Sequence, residues 1–135
     1  MKLSESEEKE VEFYCNPFNL GGNSYYKENT GEFNESHIEY KTAFSLDQTV
    51  DICEVPALPD LIKLDVQGAE LDILKGAEKC LAHCKDIIVE CQHANYNEGA
   101  PKFKEVKTFL ESKGFVLVSN FCRTDVDGDY HFRKS

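Results

Sequence analysis

The sequence predicts an α/β fold with a mainly parallel sheet, and three observations carry that prediction. Leu61, Ile62, Leu64 and Val66 form a nearly continuous apolar run, the pattern of a strand covered on both faces. After Gly68, the positions Leu71, Leu74, Ala77, Glu78 and Leu81 recur at intervals of three and four, with Ile73 beside them. That is the period of a helix lying on a sheet. Strand and helix then alternate: Asp86–Cys91 reads as a second buried strand, Phe103–Gly114 as an amphipathic helix and Phe115–Phe121 as a third strand. A βαβαβ order implies parallel strands joined by right-handed crossovers.

Taken in order, residues 1–10 read as a solvated lead-in and Glu10–Cys15 as a half-buried strand. Asn16–Ser24 is a turn by composition, and Tyr25–Glu32 continues as irregular chain. In His37–Phe44 the residues Ile38, Tyr40, Thr42 and Phe44 share a face, which predicts a second strand antiparallel to the first. Ser45 is placed to cap a short helix running to about Cys53, and Pro56 and Pro59 end that segment. In the helix after Pro101, Phe103, Val106, Phe109 and Leu110 make the apolar stripe, and Gly114 suits the position just past its end. Asp129–Arg133 closes the chain as a strand, turning back through Asp125–Gly128 to pair antiparallel. A calcium loop is the other reading of Asp125–Asp129, but its glycine is fourth rather than sixth and no glutamate follows at position 12. No repeat appears, and the expected organisation is one domain over residues 1–135.

A formal charge of −10 argues against a nucleic-acid partner, which requires a basic face. No apolar run approaches the roughly 20 residues of a membrane span. The N-terminus is acidic and polar, unlike a secretory signal, so a cytoplasmic location is expected. In that reducing compartment the six cysteines are expected as free thiols. Cys80 and Cys84, with His83 nearby, lack the further ligands a metal site requires.

Ligands of open α/β sheets bind beyond the carboxyl ends of the strands. Asp65 stands at such an end, where a carboxylate is used, paired, or caps the next helix. Glu70 lies in the first helical turn, where the dipole favours acids in any case. Gln67 offers an amide to a ligand or simply makes the turn. After the next strand come Glu90 and His93, and the imidazole suits a general base near neutral pH.

The run Ile62-Lys63-Leu64-Asp65-Val66-Gln67-Gly68-Ala69-Glu70, followed by Leu74-Lys75-Gly76-Ala77, resembles the signature of the FkbM-type methyltransferases. Gln67 stands where many members carry Glu. Further likenesses are Gly22-Asn23-Ser24-Tyr25 with Glu28, Ser45-Leu46-Asp47 for the family's Thr-Leu-Asp, Ile88-Val89-Glu90 and Asp129-Tyr130-His131-Phe132. They extend the resemblance from about residue 10 onward.

The resemblance implies a class I Rossmann-like fold and methyl transfer from S-adenosylmethionine, mostly to oxygen. It also implies catalytic roles for Asp65 and His93, cofactor contacts from Asp65, Gln67 and Glu70, and contacts to a small-molecule, sugar or lipid acceptor from Asn23, Ser24, Glu28 and Glu90. The family's strand order is 3-2-1-4-5-7-6, and Leu61–Val66 corresponds to strand 4. The glycine-rich cofactor loop belongs to the strands before it. Gly21-Gly22 does not supply that loop, being neither preceded by an apolar strand nor followed by an amphipathic helix. The expected fold is therefore partial, lacking the N-terminal cofactor-binding strands. Its strand 4 becomes a sheet edge to be covered by a second copy, a partner chain or the hairpin at residues 10–44. A non-catalytic remnant or interaction module is the alternative to an enzyme.

Overall fold

The computed structural model describes residues 2–3, 9–15, 23–24, 26–27, 38–93, 98–121 and 127–135. They form two sheets. The smaller contains β1 (Lys2–Leu3), β2 (Lys9–Tyr14) and β3 (Ile38–Phe44) in the order β1-β3-β2. The expected antiparallel pairing of β2 with β3 is present, from Lys9 opposite Ala43 to Tyr14 opposite Ile38. Part of the predicted lead-in is itself a strand, since β1 pairs parallel with the end of β3. Helix α1 (Leu46–Ile52) follows, with Ser45 as its cap. The Gln48 N–H donates to Ser45 Oγ at 3.1 Å and the Ser45 N–H to Gln48 Oε1 at 2.8 Å. This reciprocal box satisfies donors that the first helical turn leaves unpaired.

The larger sheet contains β4 (Leu61–Leu64), β5 (Asp86–Gln92), β6 (Phe115–Phe121) and β7 (Asp127–Lys134), in the order β4-β5-β7-β6. It is mixed rather than mainly parallel. β4 and β5 pair parallel, whereas β7 pairs antiparallel with both β5 and β6. The crossovers do keep β4, β5 and β6 pointing one way. The last strand turns back and lies between β5 and β6, so two of the three ladders become antiparallel.

The connection from β4 to β5 is two short helices, α2 (Glu70–Lys75) and α3 (Glu78–His83), where the spacing predicts one. The break has a distant cause. Asp47, at the start of α1, accepts the Lys79 N–H at 2.8 Å and the Cys80 N–H at 3.1 Å. Its own N–H donates to the Gly76 carbonyl at 3.1 Å. One residue thus ends α2 and caps α3. Asp47→Ala is expected to destabilise the fold by about 1–2 kcal/mol, the usual loss for a capping side chain, read as a lower urea midpoint with unchanged m.

At the other end of α3, Lys134 Nζ donates to the Leu81 carbonyl and to the Ala82 carbonyl, the latter at 2.9 Å. A cation there suits the helix C-terminus. Helix α4 (Phe103–Ser112) returns the chain from β5 to β6, burying Val106 and Leu110 as its stripe predicts. Gly114 follows at φ +89°, a conformation glycine adopts without strain.

All four helices lie on one side of the large sheet. There Ile62, Leu64, Ile87, Val89, Phe115, Tyr130 and Phe132 meet Ile73, Leu74, Leu81, Val106 and Leu110 in a single core. Among the described residues no helix covers the other face, against the expectation that β4 is covered on both. Ile62 and Leu64 are buried, but Leu61 is 54 % exposed and Lys63 is exposed. Along that face Asp86 accepts His131 Nε2 at 2.7 Å and Arg133 Nε at 2.8 Å. These two partners hold its carboxyl below the usual carboxylate range. The strand itself stops at Leu64, two residues earlier than its apolar run suggests. Of the expected turn at Asp125–Gly128, residues 125–126 lie outside the described residues, and Asp127 and Gly128 already belong to β7.

Candidate functional site

The carboxyl ends of β4 and β5 are adjacent, because the two strands pair parallel with Leu64 opposite Val89. Beyond Leu64 the chain makes a sharp turn. Gln67 takes a left-handed conformation at φ +55° and Gly68 follows at +101°. Glycine tolerates this; for glutamine it costs of order 1–2 kcal/mol unless the surroundings enforce it. Two groups enforce it here.

The first is Glu70. Its side chain is 5 % exposed and turns back, with Oε1 accepting the Val66 N–H at 3.0 Å. The Gly68 N–H and Glu70's own N–H also hydrogen-bond this carboxylate. Burial pushes the carboxyl above its ordinary value, the neighbouring Asp65 charge adds to the rise, and the three amides oppose it only in part. Glu70 is therefore the internal brace of the turn.

The second is Ser24. It is 2 % exposed, and its Oγ donates to the Gln67 carbonyl at 2.9 Å while accepting the Tyr26 N–H at 3.1 Å. Tyr14 pairs with Ser24 through both backbone groups, at 2.7 and 3.2 Å, which ties the small sheet to the turn. The strap continues with Tyr26 OH donating to Asp72 Oδ2 on α2 at 2.7 Å. Asn23 is half-buried at the start of the strap. Glu28 lies outside the described residues.

Asp65 differs from both. It is exposed, and its Oδ1 accepts Gln67 Nε2 at 3.2 Å. The structure thus brings Asp65, Gln67, Glu70 and Ser24 together, with Asp65 and Gln67 turned outward and Glu70 and Ser24 inward. At the end of β5, Glu90 is half-buried opposite Asp129 of β7, Gln92 is buried and His93 is exposed. His93 Nε2 lies 2.8 Å from the Tyr130 hydroxyl. Near the end of β5, opposite Gly128 of β7, sits Cys91, 2 % exposed. Burial, and then the charges of Glu70, Glu90 and Asp129, push its thiol far above its ordinary value. It is an inert packing thiol.

Cys80 and Cys84 are likewise buried and free, and burial pushes Cys80 up to about 12. His83 points out to solvent rather than joining them. Among the described residues no three His, Cys, Asp or Glu side chains gather as metal ligands, and no helix is long and apolar enough to cross a membrane.

Sequence reasoning did not single out Tyr26, Asp72, Phe103 or Tyr130 for this region. Tyr26 carried no local signal. Phe103 reads as part of an apolar helix stripe and Tyr130 as part of the closing strand, and only the fold shows that their rings stack.

Two comparisons bear on this arrangement. The family model for the methyltransferase FkbM domain matches residues 6–117. The 2-O-methyltransferase NoeI of Sinorhizobium fredii (strain NBRC 101917 / NGR234) is 36 % identical over 76 residues, a stretch covering 56 % of this chain and 30 % of the relative. The chain therefore spans well under two thirds of the curated relative it matches. No solved structure matches it. With the family model covering most of its length, the chain belongs to the methyltransferase FkbM domain family.

Proposed function

We propose that the chain is the acceptor side of an S-adenosylmethionine-dependent O-methyltransferase. The observation that carries this is Asp65: an exposed carboxylate at the end of β4, oriented by Gln67, above a turn that Glu70 and Ser24 hold rigid. The sheet order β4-β5-β7-β6 supports a class I Rossmann-like assignment, because it runs as 4-5-7-6 in that fold's order. The name of the NoeI relative supports a hydroxyl acceptor. The acceptor in this reading is a small molecule, a sugar or a lipid.

The cofactor fits this half of a cleft only in part. Asp65 suits its cationic end. The turn's amides at Val66, Gly68 and Glu70 are consumed by the Glu70 carboxylate, so they offer nothing to the cofactor's own carboxylate. When bound, S-adenosylmethionine supplies a methyl group already electrophilic on its sulfonium. What remains for the protein is to hold the acceptor oxygen in line and to take its proton. Asp65 and His93, at the ends of neighbouring strands, are the groups this reading assigns to that. Gln67, hydrogen-bonded to Asp65, and Asn23 and Glu90 are the residues this reading assigns to the acceptor.

A non-catalytic interaction module is the second reading. Its support is that β4 is an edge of its sheet, with no neighbour on its other side among the described residues. An edge of this kind recruits a strand from a second copy or a partner chain.

Isothermal titration calorimetry of the chain with S-adenosylmethionine separates the two readings. The enzyme reading expects binding that Asp65→Ala weakens at least tenfold, about 1.4 kcal/mol. A folded chain that releases no heat with the cofactor sinks it, and leaves the interaction module.

A further inference from the structure

The small sheet reaches the strand ends through a strap made by Ser24, Tyr26 and Lys27. Tyr14, at the end of β2, holds Ser24 by both backbone groups. Tyr26 OH then reaches Asp72 on α2, and the Lys27 carbonyl accepts the Glu98 N–H at 2.6 Å, in the connection from β5 to α4. The strap thus touches the chain beyond both parallel strands. Among the described residues no ladder joins the small sheet to β4, so the hairpin does not pair along that edge. Its firmest hold is on one peptide unit, between Gln67 and Gly68. The carbonyl of that unit accepts from Ser24 Oγ at 2.9 Å, and its N–H is bonded by the Glu70 carboxylate. Positive φ at both residues, +55° and +101°, is the pattern of a type I′ turn centred on this peptide. Glycine suits that turn and glutamine does not. Rotating the peptide out of place breaks a bond at each end, so Glu70 and Ser24 together oppose the preference of Gln67 for negative φ.

We propose that Ser24 is a positioning residue: by holding the Gln67 carbonyl from the neighbouring sheet it keeps Gln67 left-handed, and so keeps the Gln67 amide on Asp65. The small sheet then sets the orientation of the candidate catalytic carboxylate. The hydroxyl of Ser24 has one proton, and Gln67 receives it. The same oxygen accepts the Tyr26 N–H, and the residue is 2 % exposed. Ser24 therefore has no proton to offer an acceptor molecule, the contact its resemblance to the family implies. Gln67 Nε2, 3.2 Å from Asp65 Oδ1, is the group through which it acts. The effect on a ligand rests on the methyl-transfer reading; the effect on Gln67 does not.

The test has two readouts on the full chain. At positive φ the amide and α protons of a residue lie unusually close, so Gln67 in the 15N-labelled native chain is expected to show a strong NOE between them. Ser24→Ala is expected to weaken that cross-peak to ordinary intensity. A cross-peak unchanged in Ser24→Ala overturns the proposal. If that variant fails to fold, Ser24→Cys takes its place, with nearly the same size and a much weaker donor, and an unchanged cross-peak again overturns it. The second readout is calorimetry with S-adenosylmethionine. Ser24→Ala is expected to weaken binding about two- to tenfold, the worth of one neutral hydrogen bond. Added to Gln67→Ala, it is expected to cause no further loss, because Ser24 acts through Gln67. Losses that add would mean that Ser24 meets the ligand itself, which also overturns the proposal. Failure of the methyl-transfer reading appears separately, as a native chain that binds no cofactor while the Gln67 cross-peaks still decide the positioning.

Discussion

Glu70→Ala is expected to cost about 3 kcal/mol of folding stability, because it strips the acceptor from three backbone amides in a largely buried turn. Each buried donor left unpaired costs about 1–3 kcal/mol, and water entering the vacated space recovers part of that. The amides are those of Val66, Gly68 and Glu70 itself. Glu70→Gln should lose less, since one side-chain oxygen remains to accept. The native chain and Glu70→Gln also separate by pH. In the fold the Glu70 carboxyl sits above its ordinary 4.5, chiefly through burial. The folded chain therefore holds this proton more tightly than the unfolded chain. Glu70 thus contributes stability that is fully present below about pH 4.5 and is lost as the pH rises through the folded value. Urea unfolding at acid and neutral pH should show native stability falling, relative to Glu70→Gln, across that window. A native curve that runs parallel to Glu70→Gln would mean that the carboxylate is not buried as described.

Phe132→Ala should be more damaging still, at about 4 kcal/mol, the usual cost of truncating a buried aromatic. Phe132 is fully buried in β7, opposite Ile87 of β5 and Leu117 of β6, with the Phe103 ring 6.5 Å away. It lies where two ladders and α4 converge, so little can collapse into the space it leaves. Phe132→Leu, which keeps most of the volume, should cost about 1.5 kcal/mol or less. Against a typical domain stability of about 5–15 kcal/mol, the alanine variant should unfold at a much lower urea midpoint. A difference between the two variants of less than about 1 kcal/mol would mean that this side chain is not the keystone its burial suggests.

The pattern of residues foretold most elements because the local signals and the fold agree. Alternation marks β3, the apolar run marks β6, and the Ser45 box is visible as Ser three residues before Gln48. It foretold less well wherever a distant residue decides the local shape. Between Leu71 and Leu81 Gly76 alone hints at a break, and the cap that completes it comes from Asp47, some thirty residues earlier. The apolar residues of β4 suggest two covered faces, but only one receives helices, since both crossovers in the chain step the same way across the sheet. At the strand ends, the acids were legible as acids but not in their directions. Asp65 faces out while Glu70 folds back on its own turn, and that difference is set by three dimensions rather than by spacing. Ser24 was legible as a polar residue near the turn, yet both of its bonds point inward.

The place of β7 has a consequence for how the molecule is made. Its residues 127–134 are the last of the strands in the sequence, yet they lie inside the large sheet and join β5 to β6. During vectorial synthesis β6 is made with no strand to pair with, and β5 waits with one ladder open. Each such ladder is a non-local pairing that must await its partner. Until that final strand arrives, the nascent chain presents two unfilled seams, each able to accept a stray strand in its place. The sheet thus closes from its middle and not from its rim.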